Sequence, residues 1–354
     1  MAISDQVIDG AVERYLRERD RYIKLAARVA DICLAQIVEG DAIRAQVTYR
    51  TKTAQSFRGK LVRFSKRPDK DYPTVESVFE GITDFAGVRV ATYRPEDEQK
   101  VADRLRELFA GPKDDVEIDI DLKNKLDADA CQFYRATHCQ VFLRSEDRVG
   151  QYDNLAGASC EVQICSMMAH VWNEIEHDIG YKPEGGGPTG TEKGLLQMLG
   201  HLTRSGDAAI TRLLEANEQR MRSQTGEFTD VHDFVARLRS TFPGADLSVN
   251  AGQAYDAALR LKLNSLDTVR GAVEPFTEEA ARARIEAFNA YVRETGQTHS
   301  LMNSASADLI TALLLPLLKP FKDDPSDAIS RTRSLRLSSL INAWKGFSAQ
   351  AKAT

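Results

Sequence analysis

SCEVQICSMMAHVWNEIEHDIGYK, residues 159–182, changes its hydrophobic period halfway along. Cys160, Val162 and Ile164 alternate with Glu161 and Gln163, which predicts a strand carrying the two polar side chains on the face opposite the apolar set. From Met167 the spacing becomes helical: Met168, Val171, Trp172, Ile175 and Ile179 recur at threes and fours, with Asn173, Glu174 and Glu176 between them. A carboxylate alone on a strand face beside a packed helix needs solvent or a cation. In nucleotide enzymes that cation is usually magnesium.

Working back toward the N-terminus, a second strand is expected over Val88–Tyr93, with Arg89 directed away from Val88 and Val90 and with Asp84 and Gly87 in the turn before it. Asp84 alone reads as a turn cap; paired with Glu161 it becomes half of a magnesium site. Further back, Ile43–Tyr49 alternates as a strand and leads into RTKTAQSFRGKLVRFSKRPDK, residues 50–70. A helix starting near Thr53 would project Lys52, Ser56 and Lys60 along one side, with Arg63 a turn further. Arg50, Lys52, Arg58, Lys60, Arg63, Lys66, Arg67 and Lys70 are opposed only by Asp69 and Asp71. Such a run is either a solvated basic face or an anion site, and its concentration in an acidic chain points to polyphosphate.

The remaining segments fill in around these. Ile3 to about Glu39 has the three, four and seven spacing of a long helix, Pro95–Phe109 that of a shorter one. Asp114–Asp129 is acidic, with a weak alternation that predicts a strand followed by a mobile loop. Another strand, His138–Leu143, follows Tyr134, which reads either as core or as a base-stacking platform. His170, Glu174 and His177 share a helical face that is either a zinc set lacking the HExxH order or support for the Glu161 strand. PEGGGPTGTEKG, residues 183–194, reads as a hinge. Beyond it, helices are expected over Leu195–Met221, Val231–Phe242, Ala254–Leu263, Glu278–Glu294, Ala307–Leu318 and Ala328–Phe347, the first of them packing on the preceding domain.

Composition bounds the answer. The 354 residues, 42% of them apolar, suffice for two domains, and a net charge of −5 argues against a protein that coats nucleic acid. No apolar run approaches the roughly 20 residues of a membrane span, and the N-terminus is charged early, so a cytoplasmic protein without membrane partners is expected. Five cysteines without a CxxC pair read as reduced buried thiols.

Taken in order, Arg50-x-Lys52-x-x-x-Ser56-x-x-x-Lys60, Asp84-Phe-Ala-Gly87-Val-Arg89, Tyr134-Arg-Ala-Thr-His138, Glu161-Val-Gln163-Ile and Trp172-Asn-Glu-Ile-Glu176-His177 resemble the RelA/SpoT-type synthetase domain over about residues 40–185. The resemblance implies an α+β fold, a mixed β-sheet nucleotidyltransferase-like core flanked by helices. Here an all-α region follows, giving domains 1–185 and 186–354, the second regulatory or partner-binding. It implies a pyrophosphokinase that moves the β,γ-pyrophosphate of ATP to a ribose 3′-hydroxyl, by default that of a guanosine nucleotide, without a hydrolase domain. Carried over by position, Arg50 and Arg89 would hold the adenine of ATP, and Lys52, Ser56, Lys60 and Arg63 its phosphates. Asp84 and Glu161 would bind Mg2+, Glu161 also accepting the hydroxyl proton. Tyr134, His138 and Gln163 would contact the acceptor.

The departures fall on the acceptor side. Gln132-Phe133 precede the tyrosine where the family has Asn-Gly, Ala136 stands for a serine, Cys165-Ser166 for Arg-Thr, and the loop DIDLKNKLDADAC offers only Lys123 and Lys125. These favour a rival reading, a toxin that pyrophosphorylates the 3′ end of tRNA or an adenine nucleotide, with an antitoxin or a second copy as partner. A catalytically silent nucleotide sensor is the third reading, against which the retained Asp84 and Glu161 argue.

Overall fold

The computed structural model describes residues 3–112, 117–124, 133–179, 187–320 and 331–350. The loop expected after the acidic strand, with Lys125, falls outside them, as do the first residues of the expected hinge. The chain divides into two compact units, Met1–Leu34 with Arg44–Ile210, and Ala35–Ile43 with Thr211–Thr354.

The first unit opens with α1 (Asp5–Cys33), capped by the Ser4 side chain and burying Ile8, Ala11, Tyr15, Tyr22, Leu25 and Val29 along one stripe. Strands β1 (Ala45–Thr51), β2 (Ala86–Thr92), β3 (Asp119–Asn124), β4 (Arg135–Phe142) and β5 (Ser159–Ser166) form one mixed sheet in the order β1-β2-β5-β4-β3. Only the β2–β5 pair is parallel. Alternation gives the sheet two unlike faces. Val88, Val90, Val162, Ile164, Cys139 and Val141 make a buried apolar face. Helix α1 packs on β1, β2 and β5, its last residue Cys33 is buried, and burial pushes the Cys33 and Cys139 thiols up to about 12. Arg50, Arg89, Glu161, Gln163 and His138 line the other face, fixed there by the pairings Arg50↔Gly87, Gly87↔Glu161 and His138↔Gln163.

Helices α2 (Ala54–Phe64), α3 (Val75–Gly81) and α4 (Asp97–Leu108) connect the early strands, and α5 (Met167–Ile179) leaves β5 without a break. Ala169 of α5 meets Cys165 and Ala136, so α5 covers one end of the polar face. Helix α6 (Gly190–Arg222) starts earlier than the Gly-rich composition predicts. Thr189 caps it by accepting from the Glu192 N–H, while the Glu192 carboxylate accepts from the Thr189 N–H. Its first part packs on the unit as expected: Trp172 Nε1 donates to the Leu196 carbonyl at 3.0 Å and the Ser166 hydroxyl to Asp207 at 3.0 Å.

The second unit is helical: α7 (Val231–Leu238), α8 (Ala251–Arg260), α9 (Leu266–Ala272), α10 (Glu278–Glu294), α11 (Asp308–Leu314) and α12 (Arg331–Gln350). Pro316 does not kink an α-helix but sits in the 3-10 turn Leu315–Leu317 that ends α11. Phe234, Phe242, Ala257, Phe288, Leu313 and Ile341 belong to one core, which also takes in Ala42 from the short segment that leaves α1. That segment is tied in by one bond to a side-chain carboxylate and one to a backbone carbonyl. The Asn250 N–H, at a left-handed residue (φ 59°), donates to buried Asp41 at 3.0 Å, and the Gly252 N–H to the Gly40 carbonyl at 2.9 Å.

Candidate active site

Strand β1 ends by delivering Lys52, and α2 begins at once behind the Thr53 cap, whose hydroxyl accepts from the Ser56 N–H at 3.0 Å. Lys52 thus belongs to the strand exit and not to the helix. Its backbone is held on both sides, the N–H donating to the Phe85 carbonyl at 3.3 Å and the carbonyl accepting from the Tyr15 hydroxyl at 2.6 Å. Its ammonium and that of Lys60, from the second turn of α2, converge on Asp84 just before β2, at 2.8 and 2.9 Å. Burial raises the Asp84 carboxyl, but the Lys52 and Lys60 charges outweigh it and hold the group below the usual carboxylate range. All three side chains keep about a quarter of their surface exposed, so this ion triad remains open to a ligand.

Across the parallel pair, Glu161 is gripped at both oxygens. His138 Nδ1 lies 2.9 Å from Oε1, and Gln163 Nε2 donates to Oε2 at 2.8 Å. Burial again pushes the carboxyl up and the hydrogen bond and charge of His138 bring it below its ordinary value, helped by Gln163. The Tyr134 hydroxyl lies 3.0 Å from His138 Nε2. Nδ1 of His138 thus faces the carboxylate and Nε2 the phenol. Burial, then the Glu161 charge, pushes the Tyr134 hydroxyl up to about 12, so it stays protonated.

The Gln163 carbonyl accepts from Arg89 at 3.3 Å, and Arg89 donates at 2.6 Å to Glu174 of α5, whose other oxygen is 3.9 Å from Arg50. A chain of polar contacts therefore runs from Tyr134 through Glu161 to Arg50 along one sheet face. Glu174 is turned toward the arginines of β1 and β2, and His177 pairs with Asp178 at 3.6 Å. Ser56 and Arg63 lie on the exposed surface of α2, and Lys52 and Lys60 converge on Asp84.

Two contributors escaped the sequence reading. Tyr15 was legible only as one more core position of α1. Glu174 stands out in the sequence only by its spacing from two histidines, whereas its partners come from strands far away in sequence.

A family model described as the region found in RelA / SpoT proteins matches residues 49–186. No curated protein matches the chain. Similar solved structures include the small alarmone synthetase 1 from Bacillus subtilis, 21% identical, with a TM-score of 0.44 over 58% of this chain and 99% of that one. A GTP pyrophosphokinase family protein from Streptococcus pneumoniae is 20% identical, with a TM-score of 0.43 over 58% and 96%. The small alarmone synthetase 2 from Bacillus subtilis is 20% identical, with a TM-score of 0.41 over 57% and 98%. Residues 49–186 of this chain, with the mixed sheet and the basic and acidic groups described above, are a RelA/SpoT-type synthetase domain.

Proposed function

We propose that the chain is an ATP-dependent pyrophosphokinase that transfers the β,γ-pyrophosphate of ATP to the 3′-hydroxyl of a guanosine nucleotide, giving a (p)ppGpp-type product. The observation that carries this reading is the Lys52–Asp84–Lys60 triad, which stands at the entrance to β2, the strand paired with the Glu161 strand, close enough for the Asp84 charge to act on the Glu161 carboxyl. Lys52 and Lys60 carry the positive charge that the phosphates of ATP require, Arg50 and Arg89 face its base, and Ser56 and Arg63 extend the cradle along α2. On ATP binding the two ammoniums exchange Asp84 for phosphate oxygens.

That exchange leaves Asp84 and Glu161 as two carboxylates in one partly open site, a donor set that fits Mg2+. Magnesium commonly takes one or two protein carboxylates and completes its shell with phosphate oxygens and water. When bound it would neutralise charge on the transferred group. The protein's own task is alignment. Glu161, fixed by His138 and Gln163, is oriented to accept the proton of the attacking hydroxyl. Tyr134, Gln163 and His138 line the acceptor side. A second reading, with the 3′ end of tRNA as acceptor, rests on the acid on that side, which opposes a 5′ di- or triphosphate on a free nucleotide: β3 carries Asp119 and Asp121, the latter in register with His138.

The test is magnesium-dependent formation of AMP from ATP in the presence of candidate acceptors. Asp84→Asn and Glu161→Gln, each folded by circular dichroism, are expected to lower turnover by about a thousandfold, the scale of losing one charge-positioning group in phosphoryl transfer. Full turnover in either variant would refute the assignment.

A further inference from the structure

Glu174 has no part in the roles drawn from the motifs, yet it is the point at which the two arginines of the sheet meet. Arg50 is on β1 and Arg89 on β2, and the register Arg50↔Gly87 sets them on one face, two residues apart along neighbouring strands. Their guanidiniums carry like charge and would separate if left alone. Glu174 comes from above on α5 and takes Arg89 on one oxygen at 2.6 Å, with Arg50 3.9 Å from the other. The Gln163 contact to Arg89, at 3.3 Å, is the longer of the two described restraints on that side chain. Arg89 is largely covered, with 15% of its side chain exposed, while Arg50 is 65% exposed. An exposed arginine has rotamer entropy to lose when a ligand orders it.

We propose that Glu174 is a positioning residue for the donor nucleotide, holding Arg89 in place and drawing Arg50 beside it before ATP arrives. The proposal rests on the reading that these two arginines face the donor base. Preorganisation of this kind acts on affinity and not on the bond-breaking step. Plain electrostatics argues for the opposite sign, because deleting a carboxylate near an anionic ligand should tighten binding. The two accounts therefore separate cleanly.

The experiment is calorimetric titration of magnesium-ATP into the full chain, without acceptor, for the wild type, Glu174→Gln, Glu174→Ala, Arg50→Ala and the double variant Arg50→Ala with Glu174→Ala. Expected are about tenfold weaker binding for Glu174→Ala, the scale of ordering one or two long side chains, and a smaller loss for Glu174→Gln. At saturating ATP, kcat should stay within about twofold. The Arg50→Ala loss should shrink in the Glu174→Ala background, since an arginine that is no longer positioned has less to lose. Unchanged or tighter ATP binding in Glu174→Ala, fully additive losses, or a fall confined to kcat would overturn the proposal. A wild type that does not bind ATP would overturn this inference and the pyrophosphokinase reading together.

Discussion

Tyr15→Phe deletes one hydroxyl from a residue that is 0% exposed and asks how Lys52 is held. The ring stays packed, with its centroid 5.2 Å from that of Phe57 and 5.5 Å from that of Phe85, so no cavity opens. What disappears is the 2.6 Å bond to the Lys52 carbonyl. A typical intramolecular hydrogen bond is worth about 0.5–1.5 kcal/mol net, and leaving a part-buried acceptor unpaired brings the loss toward the upper end or slightly beyond it. We expect a destabilisation of about 1–2 kcal/mol in urea-monitored unfolding of the first unit. The functional effect follows from geometry: Lys52 is left with the Phe85 restraint on one side only, and its ammonium is less well placed. ATP affinity should fall by several-fold, and the fall should vanish in a Lys52→Met background, where there is no ammonium to place. An equal loss of ATP affinity in both backgrounds, or no change in stability, would refute this reasoning.

Other consequences are as direct. Burial outweighs the Arg135 ion pair at Glu98 and pushes its carboxyl to about 7, so the folded protein holds a proton there that the unfolded chain releases near pH 4.5. Stability from this group is present below that lower value and is lost as pH rises through about 7; Glu98→Gln should therefore gain on the wild type across that window in parallel melts, and a pH-independent difference would contradict the assignment. A Cβ on Gly200 would lie 2.2 Å from the Phe133 ring, so Gly200→Ala should cost about 1–3 kcal/mol and disturb the neighbouring Tyr134, seen as a lower melting temperature and weaker acceptor binding. In the second unit, Arg237 and Asp233 are buried to 2% and 0% exposure and joined at 2.8 and 2.5 Å; Arg237→Met should destabilise that unit by about 3–5 kcal/mol in chemical denaturation, by stranding the carboxylate.

Where the decisive interactions were local or periodic, the sequence carried them. The alternation of Cys160, Val162 and Ile164 placed Glu161 and Gln163 on the polar face, and the switch of period at Met167 marked the start of α5. The seven residues of α3 and the seven of α9 hold too little periodicity to predict a helix. Their signal was the reciprocal Thr74–Ser77 and Ser265–Thr268 caps, in which a hydroxyl stands where the usual template has Glu or Gln. The membership of residues 35–43 in the second unit was not legible either. It depends on Asn250 and Gly252, more than two hundred residues away in sequence. The site divides in the same way: Asp84, Lys52 and Lys60 stood out by type and spacing, whereas the pairing of Glu174 with Arg89 follows only from where α5 crosses the sheet. Among the described residues, no helix is long and apolar enough to cross a membrane.

The most direct test of the central claim is incubation of the full chain with magnesium and ATP labelled at the γ-phosphate, with GDP, GTP, ATP and deacylated tRNA offered separately. Label is expected to pass to the guanosine nucleotides, with AMP formed in equal amount, and Asp84→Asn should transfer it about a thousandfold more slowly. Transfer to tRNA alone would contradict the guanosine assignment and establish the second reading. No transfer to any acceptor would contradict the pyrophosphokinase itself.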